Sequence, residues 1–174
     1  MIKVDIYSNC WTPWRRPYYL LDAKKYAIYY FSPGDPYWLL NGKIYFGSYQ
    51  SLIHWETKLF VSDENSNTAN MKNIGKEIHS ASRHQLLHWG CSIREMKCFL
   101  PESNLTVDLE TRVEKNWQSQ IIYYSTQNEE IGKVVFNRLS DIITGKVAQL
   151  FIDSKYQALL PHLLGSLILT RISS

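Results

Sequence analysis

Residues 145–169 read GKVAQLFIDSKYQALLPHLLGSLIL, a strand pattern that runs into a helix pattern. The segment Lys146–Ile152 carries apolar side chains on both faces, which is typical of a central strand covered on both sides. Asp153 or Ser154 can cap the helix that follows, because its side-chain oxygen accepts a hydrogen bond from a free backbone N–H. Apolar residues then occupy nearly every face from residue 154 to residue 172. A helix that is apolar all round is a buried helix, so the sequence predicts a helix inside the protein.

The sequence before this helix has the rhythm of a β protein. Residues 105–114 alternate apolar and polar side chains, the period of a half-buried strand. Asn41-Gly42 stands between two apolar runs and predicts a tight hairpin, because both residues tolerate a positive φ. Strand patterns recur about every 8–12 residues, which favours a sandwich or a barrel. Residues 74–89 fit either a strand or a polar helix. We therefore expect a mainly β protein, an antiparallel sandwich or barrel with a buried hydrophobic C-terminal helix.

The composition fits a single globular domain over residues 1–174. The chain is 45% hydrophobic and 20% charged, so it can bury a core without disulfides. Its net charge of +3 is small and argues against a nucleic-acid partner. The cysteines Cys10, Cys91 and Cys98 lack the spacing of a disulfide framework, which favours reduced thiols in the cytoplasm. We expect no secretory signal and no transmembrane segment, since the longest apolar run is shorter than the about 20 residues of a membrane span.

The first 21 residues, MIKVDIYSNCWTPWRRPYYLL, raise a redox hypothesis. A cysteine after a first strand is similar to the start of a thioredoxin-like chain. Pro13 stands three residues after Cys10, so a Cys-x-x-Cys pair is missing. Hairpin patterns follow Lys25, where such a fold needs a second βαβ unit. We therefore expect Cys10 to be an ordinary thiol near a turn.

Three of the five histidines lie close together in the sequence. On a helix, His84, His88 and Cys91 would share one face, an arrangement that suits zinc with His79 or Cys98 as a fourth ligand. The spacing fits no standard zinc finger, and the alternative that we favour is a pair of histidines that is exposed to solvent or lies at the edge of the core. The sequence also lacks a phosphate-binding loop and a nucleophile elbow. We therefore assign no catalytic residue, no metal and no cofactor, and we do not expect an enzyme.

An aromatic and basic cluster near the N-terminus is the candidate site. Tryptophan and tyrosine favour the membrane–water interface, and arginine pairs with phosphate through a planar fork. Such a cluster fits anionic lipid headgroups or stacked nucleic-acid bases. The alternative that we favour is that its aromatic side chains close one end of a barrel while the arginines extend outward into water. We call it the N-terminal patch, and its residues are Trp11, Trp14, Arg15, Arg16, Tyr18, Lys24 and Lys25.

Three segments near the C-terminus resemble the Tubby-like superfamily. They are residues 130–136 (EIGKVVF), residues 145–153 (GKVAQLFID) and residues 156–169 (YQALLPHLLGSLIL). The superfamily includes the Tubby C-terminal domain, the LURP-one-related proteins and the phospholipid scramblases. The resemblance implies about twelve strands closed into a barrel, with residues 154–172 as a helical plug. It carries over no phosphoinositide-binding or calcium-binding residue, because no position of this chain matches one.

Two classes of function follow from this fold. The first is a non-enzymatic binding or adaptor module, cytoplasmic or peripheral at a membrane, that binds anionic phospholipids through the N-terminal patch or binds a protein partner. The second is a START-like carrier with a hydrophobic small molecule between the sheet and the C-terminal helix. The interior volume discriminates between them, because a carrier needs a cavity of about 300 Å³ or more.

Neutralising two arginines of the N-terminal patch tests the membrane hypothesis. Arg15→Ala combined with Arg16→Ala should leave thermal stability nearly unchanged and reduce co-sedimentation with anionic vesicles. The reason is that each basic residue near an anionic surface contributes about 1 kcal/mol to membrane binding. Neutral vesicles are the control. Equal binding of the wild type and the double variant to anionic vesicles would remove the hypothesis.

Overall fold

The computed structural model describes nine stretches of the chain. They are residues 1–7, 17–30, 36–50, 55–63, 76–83, 93–115, 119–125, 127–136 and 145–171. Twelve strands, one 3-10 helix and one α-helix lie in these stretches. The strands are β1 (Ile2–Tyr7), β2 (Tyr18–Leu21), β3 (Lys24–Tyr30), β4 (Pro36–Leu40), β5 (Lys43–Gln50), β6 (Trp55–Asp63), β7 (Lys76–Arg83), β8 (Ile93–Leu100), β9 (Leu105–Lys115), β10 (Ser119–Ser125), β11 (Glu130–Phe136) and β12 (Lys146–Ile152). The 3-10 helix spans Ser154–Leu159, and α1 spans Leu160–Arg171.

The strands pair antiparallel in the order in which they follow one another along the chain. β1 pairs with β2 on one edge and with β12 on the other, so the order of hydrogen-bonded strands closes on itself. The backbone N–H and C=O groups of β1 and β12, the first and last strands, therefore form hydrogen bonds with each other. The predicted mainly β class with a single C-terminal helical segment is confirmed.

The hairpin at Asn41-Gly42 lies where the sequence predicts it. Leu40 pairs with Lys43, which leaves Asn41 and Gly42 as the two turn residues between β4 and β5. Their φ angles are 51° and 72°. A two-residue turn of this kind needs a positive φ at both positions, and asparagine and glycine adopt it with the least strain.

The ambiguous stretch at residues 74–89 contains a strand. Its described part, Lys76–Arg83, is β7, which pairs with β6 on one edge and β8 on the other. Strand preference depends on the neighbours that a segment finds, so two partner strands outweigh a weak helical spacing. Residues 74, 75 and 84–89 lie outside the described part of the chain.

The C-terminal helical segment is divided into two parts. The Asp153 side chain accepts a hydrogen bond from the Lys155 backbone N–H at 3.0 Å and begins the 3-10 helix, as the sequence predicts. The α-helix starts only at Leu160. Pro161 is its second residue, a position where the missing N–H would have no helical acceptor in any case. Pro161 therefore belongs to the first turn of α1 and does not kink it.

Helix α1 is enclosed on all sides. Every residue from His162 to Ile168 is buried, and the helix contacts β4, β5, β6 and β7. Burying one such leucine or isoleucine contributes about 1.5–3 kcal/mol to folding. The apolar side chains of α1 that are at most 2% exposed are Leu160, Leu163, Leu164, Leu167 and Ile168.

Gly165 brings α1 close to the strands. A Cβ atom at this position would lie 3.0 Å from both Cδ atoms of Leu59 and 3.3 Å from Cζ2 of Trp38. Leu59 on β6 and Trp38 on β4 are themselves fully buried. Because packed interiors leave little free space, the absence of a side chain at Gly165 sets how near the helix lies to these two strands.

Gly132 is required by a close backbone approach. It lies in one of the segments that resemble the Tubby-like superfamily, opposite Ile152 in the pairing of β11 with β12. A Cβ atom here would come within 2.4 Å of the Phe151 carbonyl oxygen. That oxygen belongs to the strand ladder and cannot move without disturbing it.

Placing a charge inside α1 tests its central position. Leu164→Asp should lower the free energy of unfolding by about 4 kcal/mol or more, because a buried carboxylate without a partner is costly and the leucine packing is lost. Chemical denaturation measures the change. Gln157→Asp, at an exposed position of the 3-10 helix, is the control and should change stability by less than about 0.5 kcal/mol. A cooperative, equally stable Leu164→Asp variant would show that α1 is not central.

Candidate functional site

A cleft of about 520 Å³ lies at the end of the strands where α1 begins. Four parts of the chain form its walls: the β4–β5 turn with the first residues of β5, one residue of β6, the end of β8 with the β8–β9 turn, and the 3-10 helix with the first turn of α1. Its apolar lining residues are Val61, Leu100, Pro101, Ala158 and Pro161. Its polar lining residues are Asn41, Lys43, Tyr45, Glu102, Ser103, Gln157 and His162.

His162 is the most deeply buried polar group of the cleft. The residue is 1% exposed, and it forms a hydrogen bond with the backbone of Phe99. Burial disfavours the charged imidazolium and lowers the pKa of His162 to about 4, although the hydrogen bond to Phe99 acts in the opposite direction. The imidazole is therefore neutral at physiological pH, and it presents a polar surface without a charge.

Tyr45 lies beside the cleft and remains protonated. Its side chain is buried, and the ring stacks against Trp38 with 6.3 Å between ring centroids. Burial raises the pKa of the Tyr45 phenol, and the negative charge of Glu102 raises it further. A protonated phenol can donate a hydrogen bond to a bound molecule.

An ion pair lies at the rim of the cleft. Lys43 Nζ is 3.5 Å from Glu102 Oε1, with the two side chains 42% and 88% exposed. Glu102 belongs to the β8–β9 turn, residues 101–104, and Asn104 adopts a positive φ of 52° there. Exposed ion pairs of this kind contribute only about 0–1 kcal/mol to stability. The ion pair at the rim is therefore weak and can be broken at little cost in free energy.

The N-terminal patch is only partly described. Trp11, Trp14, Arg15 and Arg16 lie outside the described residues, as do Cys10 and the histidines His84 and His88 with Cys91. The hypotheses that rest on these residues stay predictions.

The described residues of the patch are divided between the two faces of the β2–β3 hairpin. Lys25 Nζ lies 3.9 Å from the centroid of the Tyr18 ring, so these two residues come together on the outer face. Lys24 pairs with Leu21, which points into the core. Because successive strand residues point to opposite faces, Lys24 leaves on the other side from Lys25. None of these three residues is among the described residues that line the cleft.

Glu129 is an exposed carboxylate held by two neighbours. It accepts hydrogen bonds from the Lys155 ammonium and the Tyr156 hydroxyl. These hydrogen bonds, with Lys155 first, lower the pKa of Glu129. The contacts tie the β10–β11 turn to the 3-10 helix, so this glutamate has a structural role at the entrance to α1.

Cys98 is an inward-facing thiol in the core. It is fully buried and forms no disulfide, and burial raises the pKa of its thiol. Within the nine described stretches, no three His, Cys, Asp or Glu residues lie close enough together to hold a metal ion. In the same stretches, no helix has the length and the apolarity to cross a membrane.

The cleft has no signature in any single part of the sequence. Its walls come from residues 41–45, residue 61, residues 100–103 and residues 157–162, which only the strand order brings together. The one local signal is a histidine in the first turn of a mostly apolar helix, because a buried ionisable residue in such a place needs a structural or functional reason.

No protein-family model, curated protein or solved structure matches this chain. The resemblance to the Tubby-like superfamily therefore stays a prediction that rests on the three C-terminal segments.

The buried imidazole makes the stability of the protein depend on pH. The pKa of His162 is about 4 in the folded state and 6.5 as its reference value, so the unfolded state takes up the proton first. The neutral His162 side chain therefore contributes to the free energy of unfolding above about pH 6.5. This contribution, about 3 kcal/mol, is lost as the pH falls toward about 4.

Denaturation of the wild type and of His162→Gln across this pH range measures the effect, because the carboxylates titrate in both proteins and cancel in the comparison. We expect a shallower pH dependence in the variant. An NMR titration of the His162 ring in the wild type gives the folded pKa directly. A ring that titrates near its usual pKa would contradict the burial argument.

Proposed function

We propose that this chain is a non-enzymatic binding module that holds a small molecule with an apolar body in the cleft. The observation that carries the proposal is the volume of about 520 Å³, since small-molecule sites span about 300–1,000 Å³. Apolar walls with a few hydrogen-bonding groups are also typical of such sites. Of the two classes of function that the sequence raises, this favours the one with a bound small molecule beside the C-terminal helix.

The position of the cleft is compatible with a buried helix. Helix α1 fills the interior between the strands, so the bound molecule does not need a cavity beside the length of the helix. The cleft instead lies where α1 begins, and Pro161 and His162 of its first turn form part of the wall. A molecule bound there would contact both the strands and the helix without displacing the core.

A Tubby-like barrel of twelve strands around a helical plug is the fold part of this proposal. The closed strand order and the burial of His162 to Ile168 support it. The need for glycine at position 132 also gives a physical reason for a residue on which the resemblance rests.

Peripheral binding to anionic phospholipid membranes is the second candidate. The supporting observation is that Tyr7 and Tyr18, which flank residues 8–16, stack with 4.6 Å between ring centroids, and Lys25 lies over the Tyr18 ring. Aromatic and basic side chains thus meet where the chain enters and leaves the aromatic, arginine-containing stretch. The arginine variants and vesicles described above test this candidate.

Blocking the cleft tests the first candidate. The neutral fluorescent probe N-phenyl-1-naphthylamine gains fluorescence when it leaves water for an apolar site. We expect saturable binding of one probe molecule to the wild type and loss of this binding in Ala158→Trp, because the indole would fill the cleft from the 3-10 helix. Gln127→Trp, an exposed position in the β10–β11 turn, is the matched control and should bind like the wild type.

Two outcomes would contradict the proposal. Undiminished probe binding to Ala158→Trp would place the site elsewhere, and no saturable binding to the wild type would mean that the cleft does not accept apolar molecules. Thermal unfolding of each variant establishes that a loss of binding reflects a filled cleft and not a lost fold.

A further inference from the structure

We propose that the cleft selects a carboxylate with an apolar body, and that its carboxylate binds Lys43 in the place now taken by Glu102. This inference rests on the proposed small-molecule function and names the chemical class of the bound molecule. Glu102 then acts as a tethered competitor, a carboxylate of the protein itself that occupies the anion position when no molecule is bound.

The strand geometry directs Lys43 toward the cleft. Lys43 and Tyr45 are two residues apart on β5, so their side chains leave the strand on the same face. Tyr45 belongs to the main core cluster, whereas Ile44 between them packs in a separate cluster. Lys43 therefore presents its ammonium group on the inner side of the strands, at the rim of the cleft.

Glu102 is held only weakly in its present position. Its side chain is 88% exposed and belongs to a turn, and its contact with Lys43 is 3.5 Å long. A direct charge-assisted hydrogen bond is shorter, about 2.7–2.9 Å. A free carboxylate that approaches Lys43 from within the cleft can adopt this shorter geometry and displace Glu102 outward into water at little cost.

The other groups of the cleft separate the charged end of such a molecule from its apolar end. Near the rim, Asn41 and Ser103 offer an amide and a hydroxyl as hydrogen-bond donors. Deeper in the cleft, His162 is buried and neutral. The lining also includes the apolar residues Leu100 and Pro161. A negative charge is favoured at the rim beside Lys43 and disfavoured at the inner end of the cleft. The apolar body of the molecule therefore enters first, and its carboxylate stays at the rim.

A bound anion must compete with Glu102 for the Lys43 ammonium group. Asp63 lies opposite Lys43 in the backbone register of β5 with β6. Of these two acids, Glu102 is the one whose side chain lies in the wall of the cleft, and it is the one to change.

Competition against the neutral probe tests the selectivity. Decanoate and 1-decanol share one apolar chain and differ in the head group, and each displaces N-phenyl-1-naphthylamine from the wild type if it enters the cleft. We expect decanoate to bind more tightly than decanol by roughly two- to fivefold, the contribution of one partly exposed ion pair. Lys43→Gln should remove this preference, because it weakens decanoate binding more than decanol binding.

The tethered competitor is tested with a matched pair of charge variants. Glu102→Gln should tighten decanoate binding by roughly two- to fivefold, because it removes the competing carboxylate. Glu130→Gln makes the same charge change at an exposed position outside the cleft and should have no such effect.

The outcomes separate this inference from the proposed function. Equal displacement by decanoate and decanol, unaffected by Glu102→Gln, would overturn carboxylate selection while the small-molecule function stands. Failure of both compounds and of the probe to bind would overturn the proposed function itself. Tighter decanoate binding in both glutamine variants would reduce the effect to net charge and would also overturn the role of Glu102.

Discussion

The structure depends on one constraint, the burial of a helix that is apolar on every face. A helix at a surface needs one polar side, and α1 has none over the stretch from His162 to Ile168. It can remain in water only if other elements surround it. A strand order that closes on itself provides such an enclosure, because β1 pairs with both β2 and β12. Gly165 then allows the helix to lie directly against Leu59 and Trp38.

The candidate site follows from where the buried helix begins. Because α1 starts at Leu160, the preceding 3-10 helix crosses the end of the strands and leaves a cleft between itself and two turns. The first turn of α1 brings His162 into this place. There, burial keeps the imidazole neutral, while Lys43 at the rim forms an ion pair with Glu102. The cleft thus has an uncharged imidazole at its inner end and a lysine side chain at its opening. This arrangement suits a molecule with one anionic end.

Local sequence patterns predicted the elements whose causes are local. The Asn41-Gly42 turn and the Asp153 cap each depend on the conformational preferences of one or two residues. The β2–β3 turn was not predicted, and it places Asp22 and Ala23 at φ angles of 50° and 60°. Alanine has no intrinsic preference for a positive φ, so this turn is imposed by the pairing of its two strands.

The N-terminal patch was selected as the candidate site because aromatic and basic residues cluster there in the sequence. Such a cluster does not tell on which face of a strand each residue lies. The structure brings Tyr18 and Lys25 together and turns Lys24 to the other side. The cleft could not be chosen in this way. Its residues come from four separated parts of the chain, and each of these residues is of an ordinary type for its own element.

By itself, the sequence determined a mainly β chain with a buried C-terminal helix, because side-chain periodicity reports which faces of an element avoid water. Only the tertiary structure decided that the strand order closes and that α1 begins at Leu160, after a 3-10 helix of six residues that follows the Asp153 cap. It also decided that Lys43, Glu102 and His162 share one cleft. The physical reason is that periodicity describes each element against water, whereas closure, register and a shared cavity depend on which elements meet.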